Sequence, residues 1–336
     1  MKHLQSFFPS DTFNNYTNNI ALFHYLGLDQ KTDALWDRTR MTSFLPYRQM
    51  LKKISNIHDW KHIIVLDSEL IPFFSKHTLR QNPNVHTFAP VFDSSSQIHP
   101  YLYWFDRVRL AEKYNSYIQK LEDRPKPFFF DALLGNPGRS HKKLARTLIS
   151  NSVHRDKFFL GNPMVITQAS DDQFAIGAEL HKGMVKGNMI YKQHISQIPL
   201  PHYCPILDDI PYLIYNKCWF SFVCETNAEF GPPYMTEKTA RLLAGKRMFV
   251  AFAPRYYLQR LKDMGFRTFD TVIDESYDSE KHFETRMHKA WQQAELLCTL
   301  DPADIHKKVS CILDHNQKLL LETDWSNLVY NQIKSM

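Results

Sequence analysis

Trp219 to Phe269 reads WFSFVCETNAEFGPPYMTEKTARLLAGKRMFVAFAPRYYLQRLKDMGFRTF, and the order of residue types in it decides the fold. Trp219 to Cys224 is a short run of aromatic and β-branched residues that ends in the polar cluster Glu225-Thr226-Asn227. That is the pattern of a buried strand with polar side chains at its carboxyl end, where open α/β sheets bind ligands. After Gly231-Pro232-Pro233, Thr236 and Glu237 open a helix that runs through Leu243 and stops at Gly245, a residue suited to a left-handed cap. Phe249 to Ala253 reads as the next strand, Pro254 as the first residue of a second helix and Gly265 as its close. Strand, helix, strand, helix in this order is a parallel α/β arrangement.

The helix start facing that strand end is chemically suggestive. Free backbone N–H groups and the positive helix end at Tyr234 to Lys238 suit a phosphate, and Lys238 adds a full charge. Glu237 stands beside it; phosphates repel a carboxylate, so the role that fits Glu237 is to accept hydrogen bonds from sugar hydroxyls such as those of a ribose. On spacing alone, an ordinary capped helix with a solvent-facing Glu-Lys pair fits at least as well.

Tyr215, Phe220, Phe222, Glu225, Asn227, Tyr234, Thr236, Glu237 and Lys238, followed by Ala244-Gly245, form an ordered set. This set resembles the donor-binding motif of α-1,3-fucosyltransferases and related bacterial glycosyltransferases, in which a strand ends Phe-Glu-Asn and Tyr-x-Thr-Glu-Lys opens a helix. The likeness covers about sixty residues and departs at Thr226, which separates the acid from the amide. The resemblance implies a GT-B glycosyltransferase, an α/β fold of two Rossmann-like domains with parallel sheets facing across a cleft. It further implies a nucleotide-sugar donor, best guessed as a GDP-sugar such as GDP-fucose, held by Glu225, Asn227, Tyr234, Thr236, Glu237 and Lys238. The acceptor it implies is a glycan or lipid-linked glycan, in bacterial surface polysaccharide or lipopolysaccharide synthesis.

Upstream, the first clean strand is His62 to Leu66, ending in Asp67-Ser68-Glu69. Ile71-Pro72 then introduces Phe73 to Gln81 as a helix, and Val85 to Phe92 is another strand. Before these, Phe13, Tyr16, Ile20, Phe23 and Leu26 recur at helix-like spacing and read as mixed helix and loop. Tyr101 to Glu122 reads as one long helix, and Asp123-Arg124-Pro125-Lys126-Pro127 as a stiff link. The expected division is an N-terminal domain over 1–122, a donor domain over 123–310, and a last helical segment, 311–336, that packs back on the first domain.

Phe128 to Leu134 opens the second half as a strand, followed by a Gly135-to-Gly138 turn and a helix from about Lys142 to Ile149. In the family, an arginine in this turn neutralises the donor diphosphate, and Arg139 is the position that looks like it. Lys142, Lys143 and Arg146 are weaker candidates for the same role, since a positively charged helical face is more often simply solvated. Phe158 to Leu160 is a further strand, and the acids of Asp274 to Asp278 read as loop.

An inverting transfer needs a base to take the acceptor's proton. Asp67 and Glu69 at the N-terminal strand end meet that need, with Glu69 preferred for its longer reach; capping of the following helix is the competing role for both.

The chain has 336 residues, 43% apolar and 23% charged, enough for two globular α/β domains. No apolar run reaches the ~18 residues of a membrane span, and the N-terminus does not read as a signal peptide. Five cysteines without a CxxC pair argue against a disulfide framework or a zinc site and for a reducing, cytoplasmic location. There is no GxGxxG, P-loop, HExxH or Asp-x-Asp element; Asp171-Asp172 and Asp208-Asp209 read as turn doublets. A metal-independent reaction with no cofactor beyond the nucleotide-sugar co-substrate is therefore expected. The net charge of +6 and pI near 8.9 fit a protein that handles phosphorylated donors and touches an anionic membrane surface peripherally, rather than one that binds nucleic acid. The alternative from a different class is a non-catalytic nucleic-acid or phospholigand binding protein using the same basic turns.

Overall fold

In a computed structural model of the full chain, the residues described are 20–25, 62–67, 85–89, 98–134, 139–160, 210–229 and 231–335. The expected helix over Phe73 to Gln81, Glu69, the Gly135-to-Gly138 turn and the two aspartate doublets lie outside them. The chain is α/β and divides into two compact units, 1–106 with 324–336, and 107–323.

The first unit holds strands β1 (Ile20–Tyr25), β2 (His62–Asp67), β3 (Val85–Ala89) and β4 (Ile98–Pro100). They form one parallel sheet in sequential order, and Asp67 closes β2 in register with Tyr25. The helix-like spacing around Ile20 and Phe23 is thus corrected to a strand. Ile20, Leu22 and His24 alternate with Ala21, Phe23 and Tyr25, but pairing with β2 rather than local pattern sets the conformation. Helix α1 (Tyr103–Asn115) follows and carries the division between the units. It ends seven residues before Glu122 because Ser116 adopts φ 52°, ψ 40°, and a separate 3-10 turn, Tyr117–Lys120, follows.

The second unit is built on β5 (Phe128–Ala132), α2 (Ser140–Asn151), β6 (Phe158–Leu160), the short α3 (Tyr212–Tyr215), β7 (Cys218–Cys224), α4 (Glu237–Ala244) and β8 (Met248–Phe252). Its four strands are parallel in the order β6-β5-β7-β8. β7 and β8 are apolar and almost wholly buried along their length, as parallel strands covered on both faces must be. On one face, Phe130, Phe158, Phe220, Phe222 and Phe252 pack against each other and against Trp291 of α6 (Phe283–Cys298), with ring centroids 4.7–5.6 Å apart for the closest pairs. Arg247, just before β8, and Asp131 of β5 form a buried ion pair of 2.9 Å that Ser221 of β7 joins.

Two caps differ from expectation. Gly245 has φ −82°, not a left-handed value; Lys246 takes that conformation at φ 50°. The N–H groups of Arg247 and Lys246 return to the carbonyls of Leu242 and Leu243, a Schellman end with lysine in the place usual for glycine. Glycine is required at 245 for close approach instead, since a Cβ there would sit 2.7 Å from Tyr215 Cε2 and 2.9 Å from Arg241 O. The helix after β8, α5 (Tyr257–Asp263), starts three residues beyond Pro254, and Asp278 caps it from a distance, accepting from the N–H groups of Leu258 and Gln259 at 2.9 and 3.0 Å. The acids after Ile273 are not loop: Asp274 caps a 3-10 turn over Glu275–Ser279. Gly265, at φ 89°, closes α5 as expected. α7 (Pro302–Glu322) braces α4, with Gln317 donating to Ala244 O at 2.6 Å. α8 (Trp325–Ser335) belongs to the first unit, where Trp325 meets Phe105 edge-on. Among the described residues no helix is long and apolar enough to cross a membrane.

Candidate functional site

The strand order of the second unit contains a switch point. From β5 the chain crosses through α2 to β6 on one side; from β7 it crosses through α4 to β8 on the other. The carboxyl ends of the adjacent strands β5 and β7 therefore face two helix starts, Ser140 of α2 and Glu237 of α4. Sheets of this kind bind ligands at such a point, and each helix start contributes unpaired N–H groups and a partial positive charge.

The two starts are tied together. His141, 2% exposed, lies 2.9 Å through Nε2 from the carbonyl of Glu225 at the end of β7. A carbonyl only accepts, so Nε2 carries the proton. Burial, with repulsion from Lys142, holds this imidazole down at about 4, so it is neutral at pH 7. Its buried Nδ1 has no hydrogen-bond partner and faces Glu229 at 3.5 Å.

Glu225 is completely buried. Its carboxylate accepts from Thr226 N at 3.0 Å, from Thr236 N at 3.3 Å, from Thr236 Oγ1 at 2.7 Å and from Thr239 Oγ1, which also meets the Tyr257 hydroxyl. Every one of these donors lies in the loop or the first turn of α4, so this carboxylate organises the helix start and has little left to offer a ligand. Thr236 is the N-cap, accepting from Lys238 N at 3.3 Å. Arg286 of α6 holds the same loop from behind, donating to the carbonyls of Ala228, Ala253 and Glu280.

The charged groups stand in front of this frame. Lys238 Nζ donates to Thr226 Oγ1, Thr236 Oγ1 and Glu237 Oε1 at 3.0, 3.2 and 2.8 Å, folded over its own helix start. For Glu237, burial would raise the carboxyl, but Lys238 and Arg241 outweigh it and hold it down at about 2. Arg139 occupies the N-cap position of α2 and is half-buried. Asn227 is half-buried in the loop, whereas Tyr234, 3% exposed, is part of the packed wall. The structure thus brings Arg139, Glu225, Asn227, Tyr234, Thr236, Glu237 and Lys238 to one sheet end. Asp67 ends β2 in the other unit.

Lys142, the weaker candidate beside Arg139, does not lie on a solvated face. It is 5% exposed, not solvated, and among the described residues it makes no hydrogen bond or ion pair. Burial first, then repulsion from Lys238 and Arg139, pulls its ammonium down to about 7. An ammonium is costly to bury without a partner, and the two cations Lys238 and Arg139 act on it more strongly than the carboxylate of Glu237 does. His141 was missed; its signal was its place in the first turn after a strand whose carboxyl end meets the switch point.

Among the described residues no group of histidine, cysteine or acidic side chains is placed to hold a metal ion. Comparison of the chain with family models, curated proteins and solved structures found no match. The site's chemistry is read from its geometry alone: two helix starts and three cations, one of them buried and unpaired, converge on a place suited to a group with several negative oxygens.

Proposed function

We propose that this chain is a glycosyltransferase that takes a sugar from a nucleotide-sugar donor, and that the switch point of the second unit binds the donor's diphosphate. The observation that carries the reading is the convergence of Arg139, Lys142 and Lys238 on the β5 and β7 ends, with Lys142 buried and without a partner. A bound diphosphate supplies the missing counter-charge. Glu237, ionised beside Lys238, suits the neutral hydroxyls of a ribose, and a GDP-sugar such as GDP-fucose remains the first choice of donor.

As sugar transfer proceeds, negative charge builds on the departing diphosphate. Helix N–H groups and fixed cations that already point at it stabilise that charge without reorganising, an effect worth about 3–4 kcal/mol of barrier for a single well-placed donor. The reaction is inverting and needs no metal in this reading. Two units, each with a parallel four-stranded sheet, suit a GT-B arrangement in which the first unit presents a glycan or lipid-linked glycan acceptor. Asp67, which ends β2, and Glu69, two residues further along the sequence, are the proposed bases for the acceptor hydroxyl, and the setting is bacterial surface polysaccharide synthesis at the cytoplasmic face of a membrane.

A thermal-shift screen against GDP, UDP, CMP and dTDP and their sugars tests the donor class. A ligand at a hundred times its Kd adds about 2.7 kcal/mol to stability, a shift of several degrees. Absence of any shift across the set at millimolar concentration refutes the reading.

A further inference from the structure

Lys142 is set apart from the other two cations of the site by its surroundings. It is the third residue of α2, and its side chain is 5% exposed. The charged and titratable groups acting on it are Arg139 and His141 on its own helix, Cys224 at the end of β7, and Glu237 and Lys238 on α4; Arg146 and Glu225 act on the same Cys224, and Glu229 faces His141. Of the carboxylates, Glu225 is saturated by donors from Thr226, Thr236 and Thr239, Glu237 is bound to Lys238 at 2.8 Å, and Glu229 faces His141. None pairs with Lys142. Positive charge therefore outweighs negative around this largely buried lysine.

We propose that Lys142 is a direct ligand of the diphosphate and takes up a proton from solvent as that ligand docks. The inference rests on the reading of this site as a diphosphate site. In the empty protein, burial ahead of repulsion from Lys238 and Arg139 holds the ammonium down at about 7, so just above neutrality the amine is largely uncharged. Its Nζ lone pair is then free to accept H⁺. An arriving diphosphate brings negative charge into contact, restores the ordinary preference for the charged form, and receives hydrogen bonds from the new ammonium. Keeping the lysine neutral until then spares the unliganded site one further positive charge beside Lys238 and Arg139.

The test is calorimetric titration of the full-length protein with inorganic pyrophosphate at pH 7.5, in two buffers of different ionisation enthalpy, so that protons exchanged on binding are counted. Three proteins are compared: wild type, Lys142→Met and Lys142→Arg. Pyrophosphate's own protonation is common to all three, and differences between them isolate the residue. Wild type should take up about half to one proton more than Lys142→Met. The methionine variant should bind about 10- to 100-fold more weakly, the loss expected for one charge-assisted hydrogen-bond donor. The arginine variant, always charged, should bind without that extra uptake; if the methionine variant fails to fold, this comparison alone decides. Equal affinity and equal uptake in wild type and Lys142→Met overturn the role of Lys142 and leave the phosphate site standing. Failure of wild type to bind pyrophosphate overturns both.

Discussion

The buried lysine should reveal itself in the stability of the empty protein. Lys142 is pulled from 10.5 to about 7 by burial and by Lys238 and Arg139. At about 1.4 kcal/mol per tenfold, that difference corresponds to an upper bound of about 5 kcal/mol against the charged form in the fold. The sign follows from proton counting. Below pH 7 the lysine is charged in both folded and unfolded chains, and the fold bears the whole cost. Between pH 7 and about 10.5 the unfolded chain holds the proton and the folded chain does not, so stability rises with pH across this window. Above it both states are neutral and the cost is gone.

Lys142→Met keeps the volume and removes the charge, so the variant should be more stable than wild type at pH 6.5 by on the order of 3–5 kcal/mol. About 3 kcal/mol of that gap should close between pH 7 and pH 9. Urea denaturation of both proteins at pH 6.5, 8 and 9.5, without phosphate in the buffer, measures the gap directly, and the other titrating groups cancel in the difference. A variant no more stable than wild type at pH 6.5, or a gap that does not narrow at higher pH, refutes the account of an enclosed and uncompensated amine. A gain in stability joined to a loss of pyrophosphate binding is the trade expected where a fold keeps an unfavourable group for its function.

Lys238→Ala and Arg139→Ala should each weaken donor binding and turnover together by about 10- to 100-fold without unfolding the protein, and steady-state kinetics with both variants at wild-type values would sink the assignment. Glu225→Gln puts an amide N–H₂ among the donors from Thr236 and Thr239, and should cost about 2–3 kcal/mol in denaturant unfolding while loosening the start of α4. Glu69→Gln or Asp67→Asn should lower turnover at saturating donor and acceptor by about 10² or more with donor binding intact; near-normal turnover in both moves the base elsewhere.

The second unit's sheet was legible because β7 and β8 are continuous apolar runs bounded by polar or glycine-containing turns, a pattern that burial on both faces imposes locally. The first strand was not. Ile20 to Tyr25 carries no clean alternation of apolar and polar residues, and its strand conformation comes from pairing with β2 some forty residues later. The break of α1 at Ser116 was equally hidden: nothing in Tyr101 to Glu122 marks it, and it shows only in the left-handed backbone there and in Glu112 reaching forward to the N–H of Ile118. The cap of α5 by Asp278 depends on a side chain some twenty residues away, beyond the reach of any spacing rule.

In the site itself, the positions were legible and the division of labour was not. A polar residue at a strand end can serve the ligand or the fold, and the choice depends on which donors surround it. Glu225 is enclosed by Thr226, Thr236 and Thr239, two of them more than ten residues away, so its charge is spent on holding α4 in place. Lys142 reads as one more member of a basic helical face, yet the contact of His141 with the carbonyl of Glu225, 84 residues away, turns the first turn of α2 inward and takes Lys142 with it. That single long-range contact converts a residue pattern typical of a solvated surface into an enclosed cation. The same turn places it beside Arg139 and opposite Lys238, where no carboxylate of the described chain is free to neutralise it, and an anionic ligand is the remaining source of the charge that the arrangement lacks.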